Sequence, residues 1–288
     1  MLSTFQFILT PLLASFLLLG LTSYFGIHVI KREIIFIDIA LAQIAVLGGV
    51  IVMFLDHHLP EQGIMVGNGN LSHIVSYVFS LLFCLLAAII FTLLKNSRIK
   101  VPIEAFIGIA YAFATTAAVI ILDKGTGGEV HLHEMMAGAL LWTTWPQVIR
   151  LTIVLIIIGG FHAAFHTKFI QLSEYYLGRS NPLKGHIWWD FLFYFTFGIV
   201  IIEAVRIAGI LTVFAFLILP ASISALFSTH WDKRILIGLA AGIIATISGL
   251  YLSVMLDLTA SPLIILFLGI ILLAGIIGRK LLLGQVQK

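Results

Sequence analysis

Charge is scarce in this chain. Asp, Glu, Lys and Arg make up 10% of its 288 residues and hydrophobic residues 61%, whereas a soluble domain carries roughly 25% charge. A water-exposed fold cannot hide that much apolar surface. Cysteine is nearly missing too: Cys84 stands alone inside an apolar run, which excludes disulfides within the chain and thiolate metal clusters and leaves a small buried apolar residue. The sequence contains no glycine loop able to cradle phosphate, no nucleophile elbow and no kinase-type signature. A chain of this size that worked as an energised transporter would have to borrow its ATPase from another chain. The first apolar run, Phe5 to Ile30, has no positive residue before it and no small-residue cleavage pattern after it. It reads as a retained helix, not a signal peptide.

What is present is a succession of apolar runs of about 20 residues, long enough to cross a bilayer as helices. The loops between them leave no room for a soluble domain. The sequence predicts an all-α, polytopic integral membrane protein with about nine transmembrane helices (eight to ten). These lie near residues 5–29, 34–55, 73–94, 103–122, 147–166, 187–204, 207–227, 235–256 and 262–278. Residues 1–288 then form a single transmembrane domain. With the N-terminus outside and the C-terminus cytoplasmic, every Lys and Arg except Lys124, Arg150 and Arg206 falls on the cytoplasmic side, which is the positive-inside bias. Orientation therefore explains the net charge of +3, and no nucleic-acid partner is implied. The stretch 187–227 can also be drawn as one span with a re-entrant piece around Glu203 to Gly209. Pro220 is expected to break or kink its helix. Gly48, Gly49, Gly238, Gly242 and Gly249 offer small surfaces for close helix approach.

Ionisable groups inside spans cost about 2.5–3.5 kcal/mol or more at mid-membrane and usually face a bundle interior or an aqueous path. Asp38, Glu104, Asp190, Glu203, Arg206 and Asp257 are such groups. Asp190 reads as interfacial, and Glu203 with Arg206 as an i, i+3 pair that neutralises itself. Asp38 sits about 9 Å beyond Arg32 on a helix rising about 1.5 Å per residue. It either lines a path or reaches back to Lys31 or Arg32. Imidazole and carboxylate gather in two external loops, with Asp56, His57, His58 and Glu61 in one and Glu129, His131, His133 and Glu134 in the other. Such donors suit borderline divalent cations, although a solvated surface explains them as well. Met135 to Trp145 suits a short interfacial helix. His162 and His166, spaced i, i+4, are placed on one helix face. In the cytoplasmic loop 167–186, Gly178 and Pro182 predict the end of a short helix.

Four segments then carry a resemblance: Asp38-Ile-Ala-Leu-Ala-Gln43-Ile-Ala-Val-Leu-Gly48, Pro102-Ile-Glu104-Ala-Phe-Ile-Gly108, Met135-Met-Ala-Gly138-Ala-Leu-Leu-Trp142 and Arg206-Ile-Ala-Gly209 through Pro220-Ala. Their order resembles that of the ABC-type zinc, manganese and iron permeases over nearly the whole chain. Asp257-Leu-Thr-Ala-Ser-Pro262 is similar to that family's Asp-x-Pro-x-Gly element, with an altered proline and glycine pattern. The resemblance implies a homodimer of this chain, a cytoplasmic ABC ATPase subunit, an extracytoplasmic metal-binding protein, and a divalent metal ion as cargo, with no cofactor bound by this chain. It implies further that Glu174 and Gly178 belong to the helix touching the ATPase. Asp38, Gln43 and Asp257 become candidates for the metal path, and His131 and His133 for external metal contact. Family members commonly carry Asp-x-x-x-His in the second span. Here Gln43 takes the histidine place and Asp38 precedes it by five residues, which turns the two side chains about 140° apart.

The expectation is a permease subunit of an ATP-binding-cassette importer in the bacterial plasma membrane, carrying zinc or manganese. A permease for a metal chelate is the nearest alternative. An ion-coupled secondary carrier using Asp38 and Glu104 is an alternative of another class. A membrane enzyme lacks any catalytic set.

Overall fold

A chain this apolar must satisfy its backbone N–H and C=O groups within itself, because hydrocarbon offers no partner. Helices do so segment by segment. The structure, a computed structural model, describes residues 2–58, 69–97, 101–123, 140–181 and 183–286. Among these residues there are ten α-helices, one 3₁₀ turn at Leu140–Trp142 and no strand: α1 (Leu2–Lys31), α2 (Ile37–His58), α3 (Gly69–Lys95), α4 (Ile103–Asp123), α5 (Trp145–Ala164), α6 (His166–Tyr176), α7 (His186–Ala208), α8 (Ile210–Phe227), α9 (Trp231–Leu256) and α10 (Ala260–Val286). Eight contain stretches long and apolar enough to cross a membrane, and α2 contributes the shorter apolar stretch Ile37–Val52. These are the expected spans, with α6 as the short helix of the loop 167–186. The interfacial helix expected over Met135 to Trp145 is only partly within the described residues, where it is the 3₁₀ turn.

The helices group into two compact units, each assembled from separate stretches of chain. The first comprises Met1–Lys31, Met135–Ala164 and Ala204–Lys288. In it α1 packs on α5, α8 and α9, while α8, α9 and α10 pack on one another. A methyl group at Gly249 would lie 2.6 Å from the Ile264 side chain, so α9 and α10 meet there through glycine. The second unit comprises Arg32–Glu134 and Phe165–Glu203. Its α2 lies against both α3 and α4, around a core of Leu47, Ala114 and Ala118 filled out by Ile44, Phe83 and Ile121. Here Gly48 brings α2 down on α3, since a Cβ would stand 2.8 Å from the Phe79 carbonyl oxygen. The outer faces are apolar as well, with Ile109, Phe113 and Ile120 of α4 and Leu266, Leu273 and Ile277 of α10 exposed. Lipid is the solvent such faces require.

Between α7 and α8 the helical path is interrupted at one residue. Gly209 adopts φ 78°, ψ 161°, a region that is essentially glycine-only. Its N–H still donates to Val205 O at 2.9 Å and its carbonyl accepts from Val213 N at 3.1 Å, so the break leaves neither group of Gly209 orphaned. The stretch 187–227 is thus two helices. Pro220 does not break its helix, since α8 runs through it from Ile210 to Phe227. Proline removes one bond to the preceding turn, and membrane helices tolerate that loss when neighbours pack closely. Gly238 supplies such a neighbour: a Cβ placed there would be 3.0 Å from Pro220 O.

Forcing an L-residue into the Gly209 conformation costs about 1–3 kcal/mol. Gly209→Ala should therefore lower the thermal unfolding midpoint in detergent. Gly108→Ala is the control, because a Cβ there meets nothing within 4 Å and alanine gains up to about 1 kcal/mol of helix propensity. An unchanged midpoint for Gly209→Ala would mean that the α7–α8 junction does not need its glycine.

Candidate functional site

The residues picked out in the sequence divide into three groups in the structure. His131 and His133 lie outside the described residues, as does most of each external loop. Asp257 closes α9 at a left-handed position, φ 53°, ψ 45°, which aspartate tolerates better than most residues. The turn is tied by the Ser253 hydroxyl donating to Leu258 O at 2.5 Å, and Asp257 itself is exposed. It lies in the first unit, whereas Asp38, Gln43, Glu174 and Gly178 all lie in the second.

Asp38 and Gln43 are buried on α2, at 2% and 5% exposure. Asp38 belongs to the first turn of the helix, where the dipole favours a negative charge. Its Oδ1 and the Oε1 of Gln43 have no hydrogen-bond partner, and Asp38 makes no ion pair among the described residues. Two buried oxygens on one helix, both acceptors and both unsatisfied, are costly unless something occupies them. Glu104, the other carboxylate considered for a path, is used structurally. At the start of α4 its Oε1 accepts the Ile35 N–H at 3.4 Å.

Arg32 does not serve Asp38; its partner is Asp190, in the first turns of α7. The two residues pair with each other, Nη1 to Oδ1 at 3.0 Å, with both side chains at 0% exposure. Five further residues close around the pair. Arg32 Nε donates to Ser173 Oγ at 2.9 Å, and the guanidinium carbon lies 3.8 Å over the Phe193 ring. Asn96 Nδ2 donates to Asp190 Oδ2 at 3.1 Å, and the Tyr176 hydroxyl donates to the same oxygen. Lys95 Nζ caps the Arg32 carbonyl at 3.0 Å and stands 4.4 Å over the Tyr176 ring. Burial, and after it the Asp190 carboxylate, pushes the Tyr176 phenol far above its usual range, so it remains a donor at any physiological pH. The pair joins residues 158 positions apart, beyond the reach of any periodicity argument. The available signal was a basic and an acidic residue at the ends of two apolar runs.

The expected end of α6 holds, with Leu177 as cap. Gly178 has φ +69°, its N–H donates to Tyr175 O, and Arg179 N–H donates to Glu174 O, both at 2.9 Å. These are the two bonds of a Schellman cap, in which glycine takes the left-handed position. Pro182, expected to help end this helix, lies outside the described residues. His162 and His166 do not share a helix, because α5 ends at Ala164 and α6 begins at His166. His162 is buried instead, its Nδ1 3.3 Å from Tyr24 Oη.

Against known families, residues 4–279 match the ABC 3 transport family. The chain belongs to that family. Among relatives of this ABC 3 member, a probable metal transport system membrane protein of Chlamydia trachomatis is 24% identical over 168 residues, 58% of this chain and 57% of that protein. The manganese transport system membrane protein MntC of Listeria monocytogenes is 26% identical over 182 residues, 61% of this chain and 62% of MntC. The matched region thus spans about three fifths of these relatives' length. PsaBC from Streptococcus pneumoniae, solved in complex with Fab, superposes with a TM-score of 0.71 at 19% identity, covering 95% of this chain and 92% of that one. At that identity the superposition establishes the fold. This ABC 3 chain is a multi-pass membrane protein by its helices and by its family.

The two buried aspartates should answer mutation differently. Asp190→Ala leaves Arg32 buried without its counter-charge and is expected to cost about 3–5 kcal/mol. Asp38→Asn removes a buried charge that has no ion-pair partner and keeps an oxygen for the backbone N–H groups of the first turn, so stability in detergent should stay within about 1 kcal/mol of wild type or rise. A large loss on Asp38→Asn would reveal a stabilising partner for this carboxylate.

Proposed function

We propose that this chain is the permease subunit of an ATP-binding-cassette importer that carries a divalent transition metal ion, zinc or manganese, across the plasma membrane. Its partners in this reading are a second copy of the chain, a cytoplasmic ATPase subunit and an extracytoplasmic metal-binding protein. The observation that carries the reading is the family match along nearly the whole chain, together with relatives named for metal and manganese transport. Asp38 supports it, being a buried carboxylate on a membrane helix with an unsatisfied oxygen. Manganese is the first cation to test, because Asp38 and Gln43 offer oxygen donors only, and oxygen suits manganese better than zinc.

In this reading α6 is the element that meets the ATPase. Glu174 is half-buried and gives its carbonyl to the helix cap, so the shape of this corner depends on Gly178. Proline at position 178 has no N–H and fixes φ near −65°, which abolishes both the Tyr175 bond and the left-handed turn. Each substitution alone, Gly178→Pro or Glu174→Arg, should impair ATP-driven uptake while the protein still inserts. Wild-type uptake in both variants would remove α6 from the coupling surface.

The decisive experiment co-reconstitutes the chain with its ATPase and binding protein in liposomes and measures uptake of manganese and zinc with and without ATP. Uptake that requires ATP supports the proposal. Uptake by the chain alone, driven by a proton or sodium gradient, would make it a secondary carrier, and a strict requirement for a chelator would make its cargo a chelate. Asp38→Asn should lower ATP-driven uptake about tenfold or more, since one charge at close range in a low-dielectric path is worth several kcal/mol.

A further inference from the structure

The polar network around Arg32 connects four stretches of chain in one unit: the link before α2, the end of α3, the helix α6 and the first turns of α7. Arg32 stands six residues before Asp38 and bonds to α6 through Ser173 and to α7 through Asp190. Tyr176 adds a second tie, from α6 to the same carboxylate, and Asn96 a tie from the end of α3. Ser173 and Asp190 are fully buried. Opposite this polar side, the Phe193 ring lies under the guanidinium. Such an arrangement resists relative displacement of its parts, because moving any one of them strands a buried polar or charged group.

We infer that the Arg32–Asp190 pair, with Ser173 and Tyr176, is the rigid link that passes movement of α6 to the start of α2, and so to Asp38. Arg32, Asp190, Ser173 and Tyr176 are positioning residues in this assignment; the cation is not expected to touch them. Energetic coupling of this sort travels through contiguous hydrogen-bond and ion-pair contacts that are held together as a body. The assignment rests on the function proposed above.

The test is the double variant Ser173→Ala, Tyr176→Phe. It removes both ties to α6 and leaves the Arg32–Asp190 pair in place, so the unit keeps its buried counter-charges. ATP hydrolysis and manganese uptake are measured on the same proteoliposomes, together with the thermal midpoint of the purified complex. If the link exists, manganese carried per ATP hydrolysed falls about fivefold, within the range found for residues that carry coupling, while hydrolysis continues. An unchanged ratio overturns the inference, and so does a parallel loss of hydrolysis and uptake, which would mean that these groups serve only to dock the ATPase. Should the double variant fail to fold, Tyr176→Phe decides by the same ratio, since it deletes a single oxygen. Failure of wild-type proteoliposomes to take up manganese with ATP would instead defeat the functional reading beneath the inference.

Discussion

Hydrocarbon provides no partner for an N–H, a C=O or a charge, and nearly every feature of this fold answers that constraint. Among the described residues the backbone answers by remaining helical through its long apolar runs, and by breaking between α7 and α8 only at a glycine whose N–H and carbonyl stay bonded on either side. Side chains answer in two ways. Hydroxyls of Thr92 and Ser224 return to carbonyls of their own helices, at 2.6 and 2.7 Å. Charged groups are met by an opposite charge distant in sequence, as with Arg32 and Asp190, or have their donors satisfied by backbone carbonyls, as with Arg234, whose Nη2 donates to Ala221 O at 3.2 Å.

Against that background a group left unsatisfied is informative. Asp190 and Asp38 are both buried carboxylates on membrane helices, yet one is held by an arginine, an asparagine and a tyrosine, while the other has a bare oxygen. A purely structural aspartate would be expected to resemble the first. Keeping the second costs stability, a cost understandable where a cation passes or dwells, because the carboxylate is then satisfied part of the time. The amide oxygen of Gln43, equally bare, has the same logic at lower strength.

Much of this was legible in the sequence because the signals were local. Runs of apolar residues, a one-sided distribution of Lys and Arg, and Gly178 as a helix stop each depend on a few neighbouring residues, and the structure places helices and cap where those signals point. Asp38 stood out for the same reason, being a carboxylate several residues inside an apolar run. What the sequence left out has no such local signal. The partner of Asp190 was missed because its position near a span boundary says nothing of Arg32, far away in the chain. His162 and His166 were read as neighbours on one face because nothing obvious in Ala-Ala-Phe announces a break at Phe165. For Pro220, expected to break or kink its helix, the sequence could not show the close approach of Gly238 beside an unbroken α8.

The oxygens of Asp38 and Gln43 also bear on how tightly a cation can be held. Five residues apart on a helix, their side chains point about 140° away from each other, so they do not close on one ion as an i, i+4 pair does. Among the described residues no group of three or more His, Cys, Asp or Glu side chains comes together to complete a metal shell. In the function proposed above, α2 of one chain offers successive weak oxygen contacts in place of a tight chelate. An importer driven by ATP benefits from that arrangement, because a cation bound tightly at mid-membrane must be pulled off again at every cycle, and the free energy spent doing so is lost to transport. Selectivity in such a design belongs to whatever hands the ion over, and the membrane helices need only make passage possible for a cation.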